Sequence, residues 1–270
     1  MRASIGYNKT RPMNLLLTND DGVHADGIFA LKNALTAGHD VTVVAPERQR
    51  SAAGHAITLH KALRLTPTVL RDGSPAFESN GTPSDCATLG VLEAMAGKVD
   101  MVISGINHGP NLGWDVHYSG TVSAAIEATI IGHTAFAISV ASFDREIHWE
   151  TAANFAARLA EWLAAHPQPA NTVLNVNVPN LMEAEIKGVM VTTQGPRQYV
   201  DRVEKRVDPL GRPYFWLGGS LADEARGAPD GTDVRAIADG FISVTPIQLD
   251  MTAYSLIQDL RKQISKDLPF

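Results

Sequence analysis

The 270-residue sequence has a single cysteine, Cys86. That excludes a disulfide within the chain and makes a reducing compartment, the cytoplasm, the expectation. Basic charge is not in excess: 23 Lys and Arg against 29 Asp and Glu leave a net charge of −6. This balance argues against a nucleic-acid polymer or an anionic membrane as partner. Phosphate groups would then be held by a metal and backbone N–H groups. No apolar run nears the ~18 residues that cross a bilayer. Residues 1–12, MRASIGYNKTRP, lack the apolar stretch of a secretory leader and read as a tail. A Gly-Lys-Ser/Thr phosphate loop is absent, and no Gly-x-Gly-x-x-Gly follows a strand. An aspartyl-phosphate phosphatase needs a second acid two residues after its nucleophile, and two residues after Asp20 stands Gly22. There is no internal repeat and no low-complexity tract.

What is present is an alternation of apolar strands with amphipathic helices. Leu15, Leu16 and Leu17 form a short continuous apolar run, which suits a strand covered on both faces. A helix follows over 26–38, then a strand over 41–46 ended by Pro46. Segment 57–65 alternates like a two-stranded excursion. A helix over 81–97 has Thr82 as N-cap, Pro83 at its first position and Asp85 closing a capping box. A strand over 99–105, a helix over 119–132, a strand over 134–140 and a helix over 149–165 complete the first half. Such alternation predicts an α/β fold: a Rossmann-like three-layer core with a mostly parallel sheet. Further strands follow at 173–179 and 188–195, so the core is expected over 13–195. Residues 196–270 are expected as an extension: an aromatic hairpin over 196–220 with Tyr199, Tyr214, Phe215 and Trp216, a helix-then-strand return over 231–247, and a helix over 253–268.

In a parallel sheet the loops after the strands open on one edge. After the first strand comes TNDDG, where Asp20 and Asp21 place two like charges side by side and invite a cation. Alone, the stretch fits an Asn-Asp-Gly turn as well as a metal site. After the strand at 99–105 comes SGINHGPNLGWDVHYSGT, an unusually long connection. Two aspartates, a serine hydroxyl and an asparagine carbonyl are hard oxygen donors, suited to Mg2+, Mn2+ or Ca2+ rather than Zn2+. The helix starting at Ser119, Gly120 and Thr121 offers N–H groups to an anion. Carboxylates, a hard metal and an anion cradle on one edge point to phosphate-ester hydrolysis. His55, His108 and His117 lie in or near these loops and carry no assignment of their own.

TNDDG, the AP-x4-S loop, GTPSDC, SGINHGPNLGWDVHYSGTVSAA, DPLGRPYFWLGG and GTD-x8-F-x-SVTP together resemble the SurE family of survival-protein nucleotidases. The resemblance runs in order from Met13 to the C-terminus. It implies a metal-dependent 5′/3′-nucleotidase with exopolyphosphatase activity among its members, acting on nucleoside monophosphates and polyphosphate. It also implies one Mg2+ or Mn2+ per subunit, held by Asp20, Asp21, Ser51 and Asn107. The C-terminal arm is implied to build a homodimer or homotetramer. Ser51 is followed by Ala-Ala-Gly where many relatives have Ser-Gly, a departure in loop shape and not in the hydroxyl. On this reading Asp20, Asp21, Asn107 and Ser119 are the catalytic candidates, with Asp20 as the candidate general base. Asn111, Ser119, Gly120 and Thr121 are the candidates for cradling the phosphate.

Overall fold

The computed structural model describes residues 11–196, 199–221 and 227–268. Its strands are β1 (Asn14–Thr18), β2 (Asp40–Pro46), β3 (Leu65–Val69), β4 (Pro75–Ser79), β5 (Met101–His108), β6 (Ala135–Val140), β7 (Thr172–Val178), β8 (Val189–Val191), β9 (Tyr199–Val207), β10 (Pro213–Leu221) and β11 (Ile242–Gln248). Its helices are α1 (Asp26–Leu35), α2 (Pro83–Leu89), α3 (Gly120–Ile130), α4 (Trp149–Ala165), α5 (Asp233–Ala238) and α6 (Tyr254–Asp267). Nine strands form one sheet in the order β3-β4-β2-β1-β5-β6-β7-β11-β8. From β4 to β7 every neighbouring pair is parallel. Antiparallel β3 closes one side, and β11 runs antiparallel to β7 on the other.

The leucine run explains the layers. Leu15 and Leu17 face α1 and α4, packing with Ile28, Leu31, Ala152 and Leu159. Leu16 points to the opposite face, among Cys86, Val91, Val122 and Ala125 of the α2–α3 side. All three leucines are fully buried, as a strand sandwiched between two helical layers requires. The expected three-layer α/β fold is the observed one. β2 lies on one side of β1 and β5 on the other, so the strand order reverses at β1. Ligands of open α/β sheets bind at such a switch point, beyond the carboxyl ends of the strands. Asp20 and Asp21 follow β1 there.

Two expected elements differ. The excursion expected over 57–65 begins only at Leu65 and is the hairpin β3–β4. Segment 56–64 is held by side chains instead of a strand partner. Thr82 Oγ1 donates to the Ala56 carbonyl at 2.7 Å, Asp85 Oδ1 accepts from Thr58 N at 2.9 Å, and Asn80 Oδ1 accepts from Arg64 N at 2.9 Å. The helix expected over 81–97 starts with the predicted capping box, but regular α-helix ends at Leu89 and a π-helical turn covers Gly90–Ala94. At Gly90 a Cβ would stand 2.6 Å from the Leu16 side chain, so the helix lies directly on β1 where it widens.

The hairpin expected in the extension is β9–β10, in register from Val207–Pro213 to Tyr199–Leu221. Asp208 closes it by accepting from the backbone of Leu210 and Arg212. Tyr214, Phe215 and Trp216 are exposed, the last two by 57% and 60%. The side chain of Tyr199 lies outside the described residues. Helix α6 buries none of its residues and carries Leu256, Leu260 and Ile264 along one exposed stripe. Among the described residues no helix is long and apolar enough to cross a membrane.

The first turn of α1 meets β5 at Gly27, where a Cβ would fall 2.0 Å from the Ile106 carbonyl oxygen. Gly27→Ala is therefore expected to lower the unfolding free energy by about 2 kcal/mol, the usual scale of overpacking. Urea denaturation reads this directly, and an unchanged midpoint would show that α1 shifts freely against β5.

Candidate active site

The turn after β1 is built by Asn19. Its Oδ1 accepts from Gly22 N at 3.1 Å and its Nδ2 donates to the Gly22 carbonyl at 2.9 Å. Gly22 has φ +103°, and a Cβ there would lie 3.3 Å from the Arg48 backbone. The Asn-Asp-Gly turn is thus real, and Asn19 closes it, leaving both aspartates free to project.

Asp20 is 4% exposed. Its Oδ1 accepts the Thr121 hydroxyl, and the Thr121 backbone N–H also faces it. Gly120 makes this approach possible: a Cβ there would stand 2.8 Å from Asp20 Cβ and 3.0 Å from Oδ2. Burial, reinforced by the neighbouring Asp21 charge, pushes the Asp20 carboxyl up to about 6, although Thr121 opposes the shift. Burial also raises Asp21, against the N–H of His108, which donates to Asp21 Oδ2 at 3.0 Å.

Asn107 reaches the same edge through an irregularity. Between Ser104 and Asn107, β5 slips against β6, with Ser104 opposite Ala137 and Asn107 opposite Ser139. Such bulges re-aim side chains at sheet ends. Asn107 Nδ2 donates to the Gly109 carbonyl at 2.8 Å, leaving Oδ1 as its acceptor. Ser51 sits on the exposed loop after β2. Gln49 Nε2 lies 2.8 Å from Ser51 Oγ and 3.5 Å from Asp21 Oδ1, so one N–H2 group spans two of the expected ligands. The Arg50 N–H donates to the Asp20 carbonyl at 2.7 Å, tying the two loops together.

Among the described residues no three His, Cys, Asp or Glu form a cluster. A cation here would therefore depend on neutral oxygens from Ser51 and Asn107 beside the two carboxylates. This donor set fits Mg2+ or Mn2+. Two further buried hydroxyls, Thr18 Oγ1 at the end of β1 and Ser104 Oγ midway along β5, are register partners and lack a hydrogen-bond partner among the described residues. A bound oxygen ligand or water would satisfy them.

The phosphate candidates divide. Ser119 is the N-cap of α3, its Oγ accepting from Val122 N at 3.0 Å, and its own N–H goes to the Val116 carbonyl at 3.4 Å. The Thr121 N–H faces Asp20. Of the three N–H groups expected to be available to an anion, only that of Gly120 is left uncommitted, because Asp20 already occupies the helix end. Asn111 is 7% exposed and engaged in a buried network. Its Nδ2 donates to Ser139 Oγ at 2.8 Å, and its carbonyl accepts from Asn175 and Asn177 at 2.8 and 2.9 Å.

Several supporting residues escaped the sequence reading. Asn175 and Asn177 alternate on β7, and two asparagines at period two in a buried strand were the signal. Asp233 is fully buried and accepts from the N–H groups of Gly113, Gly195 and Val234 at 2.7, 2.7 and 2.8 Å. Burial raises its carboxyl while these bonds oppose the rise. It clamps the long loop between β5 and α3. A cleft of about 1020 Å3 between α1 and α4, lined by Phe29, Arg71 and Trp149, contains none of the expected site residues.

A family model described as Survival protein SurE matches residues 15–201. A 5'-nucleotidase SurE of Geobacter sulfurreducens is 47% identical over 92% of this chain and 93% of its own length. That of Aeromonas hydrophila is 47% identical over 92% and 97%. The crystal structure of SurE protein from Aquifex aeolicus superposes with a TM-score of 0.81 at 39% identity, covering 93% of this chain and 99% of that one.

The raised Asp20 carboxyl has a consequence for stability without metal. Its folded value of about 6 lies above the ordinary 3.8, so the folded state holds a proton that the unfolded state has released. The associated stability is complete below about pH 4 and is lost as pH rises through about 6. At roughly 1.4 kcal/mol per unit, wild type should lose about 3 kcal/mol relative to Asp20→Asn between pH 4 and 7. Urea unfolding of both proteins in chelator measures the difference. A pH-independent difference would mean that Asp20 is not desolvated.

Proposed function

The chain belongs to the SurE family, and on that premise we propose that it hydrolyses nucleoside 5′-monophosphates to nucleoside and phosphate, using one divalent cation, Mg2+ or Mn2+, per subunit. The relatives that carry the name 5'-nucleotidase match it over more than nine-tenths of its length. One observation supports the reading most: past the end of β1, Gln49 spans Asp21 and Ser51, the N–H following Asn107 bonds Asp21, and Thr121 of α3 bonds Asp20.

When bound, the cation would polarise a phosphoryl oxygen and lower the pKa of water at its surface. The chain's own residues do the rest. Asp21, Ser51 and Asn107 orient the ion's oxygen shell. Asp20 is tied at Oδ1 by Thr121 and keeps Oδ2 to accept a proton from the attacking water. The Gly120 N–H meets charge building on the phosphoryl group. The Ser119 hydroxyl caps with a lone pair, so its O–H remains to donate to phosphate. Asn111 holds the floor of the loop beneath them. Because the grip is on phosphate, 3′-monophosphates and the end of a polyphosphate chain belong to the same proposal. Cys86 is buried, with its thiol raised by burial, in keeping with a cytoplasmic protein that has no use for a disulfide.

We further propose that β9–β10 and α6 assemble the chain into a homodimer or homotetramer. Exposed Phe215 and Trp216 and the apolar stripe of α6 are more surface than a monomer ordinarily leaves in water.

Asp21→Asn should lower turnover on a nucleoside monophosphate at least ~100-fold, the scale for losing a transition-state electrostatic contact, while leaving the circular dichroism unchanged. Chelator should abolish wild-type phosphate release and added Mn2+ restore it; full activity in chelator would overturn the metal. Replacing Phe215 and Trp216 by Ser should shift gel-filtration elution to a smaller species that still cleaves an aryl phosphate. Loss of turnover without dissociation would assign the hairpin to the site.

A further inference from the structure

Of the expected ligands, only Ser51 is exposed. The loop that carries it takes one costly backbone conformation, Ala52 at φ +55°, while Gly54 adopts φ +58° without a Cβ penalty. Something must hold that shape. Before Ser51, the Arg50 N–H is bonded to Asp20. After it, the Gly54 N–H donates to the Tyr118 carbonyl at 3.0 Å. The next residue makes a side-chain contact with α3: His55 Nε2 stands 2.7 Å from Glu127 Oε2. The pair is partly sheltered, the side chains being 33% and 15% exposed. Glu127 Oε1 accepts from Thr88 Oγ1 of α2 at 3.4 Å, which fixes the carboxylate from a third element.

We propose that His55 and Glu127 are positioning residues, a clamp that sets Ser51 against Asp20 and Asp21. The inference rests on the metal-site reading above. Its physical basis is that α3 acts as a common ruler. Thr121 in its first turn fixes Asp20, and Glu127, nearly two turns further on, fixes the far end of the Ser51 loop. A short carboxylate–imidazole hydrogen bond, partly removed from water, is among the stronger contacts a side chain makes. Without it, Ala52 is free to leave the left-handed region, and Ser51 Oγ moves with the backbone.

The test is calorimetric titration of Mn2+ into the full chain. His55→Ala and Glu127→Ala should each raise the Kd for Mn2+ about ten-fold, as expected for losing a charge-assisted bond that orders a ligand. The double variant should bind no worse than the weaker single, since both changes remove the same contact. His55→Gln, which keeps an N–H donor, should recover most of the affinity. Wild-type protein that takes up no Mn2+ overturns the metal reading and the clamp with it. Tight wild-type binding that the alanine variants share overturns the clamp alone, as do additive losses in the double variant. Should His55→Ala fail to fold, Glu127→Gln is titrated in its place, with a rise expected and unchanged binding again fatal to the clamp.

Discussion

Two neighbouring carboxylates at the end of a buried strand set the terms for everything around them. Asp20 is almost completely removed from water, and desolvation alone would drive it neutral. The fold answers with the few groups able to accept that burden: the Thr121 hydroxyl and N–H, and the positive end of α3. Asp21 receives the His108 N–H in the same way. These contacts reduce the cost without cancelling it, since both carboxyls remain raised. A pair left in that condition keeps part of the cost of desolvation and mutual repulsion, which the proposed cation would relieve.

Close approach is the second constraint, and glycine meets it. At Gly120 any side chain would collide with Asp20, and at Gly105, with φ +142°, a Cβ would fall 2.2 Å from the Ile138 carbonyl oxygen. The slip of β5 against β6 between Ser104 and Asn107 brings the carboxamide to the sheet edge. Backbone proximity, more than side-chain reach, compresses the site.

Much of this was legible in the sequence. The leucine run, the capping box at Thr82 and the strand–helix alternation are local patterns, and each became the expected element. The gathering of TNDDG, the Ser51 loop and SGIN on one edge follows from parallel topology, which alternation predicts. The lapses have physical causes. Segment 57–65 alternates like a strand, yet over 56–64 the backbone finds partners in the side chains of Asn80, Thr82 and Asp85, and no spacing rule reveals that. The three N–H groups at the start of α3 looked open to an anion because the sequence does not show that Asp20 faces Thr121. The Asn111 carboxamide looked open to a ligand because the sequence does not show that its Nδ2 donates to Ser139 on β6 while Asn175 and Asn177 on β7 hold its backbone. Burial and non-local pairing decided these cases.

The supports of the site extend past the stretch that the family model spans. That match ends at residue 201, yet the loop joining β5 to α3 is held at Gly113 by Asp233. The same carboxylate accepts from Gly195, in the segment that follows β8, and β11 pairs with β7, the strand that presents Asn175 and Asn177 to Asn111. A charge buried this deeply is stable only while all its N–H partners are present. Loss of the returning α5–β11 unit would therefore remove a stability element and, in the same step, release the loop that bears Asn111 and leads into Ser119. The edge that carries the candidate site and the C-terminal return are one mechanical unit, joined through Asp233 and the asparagine network.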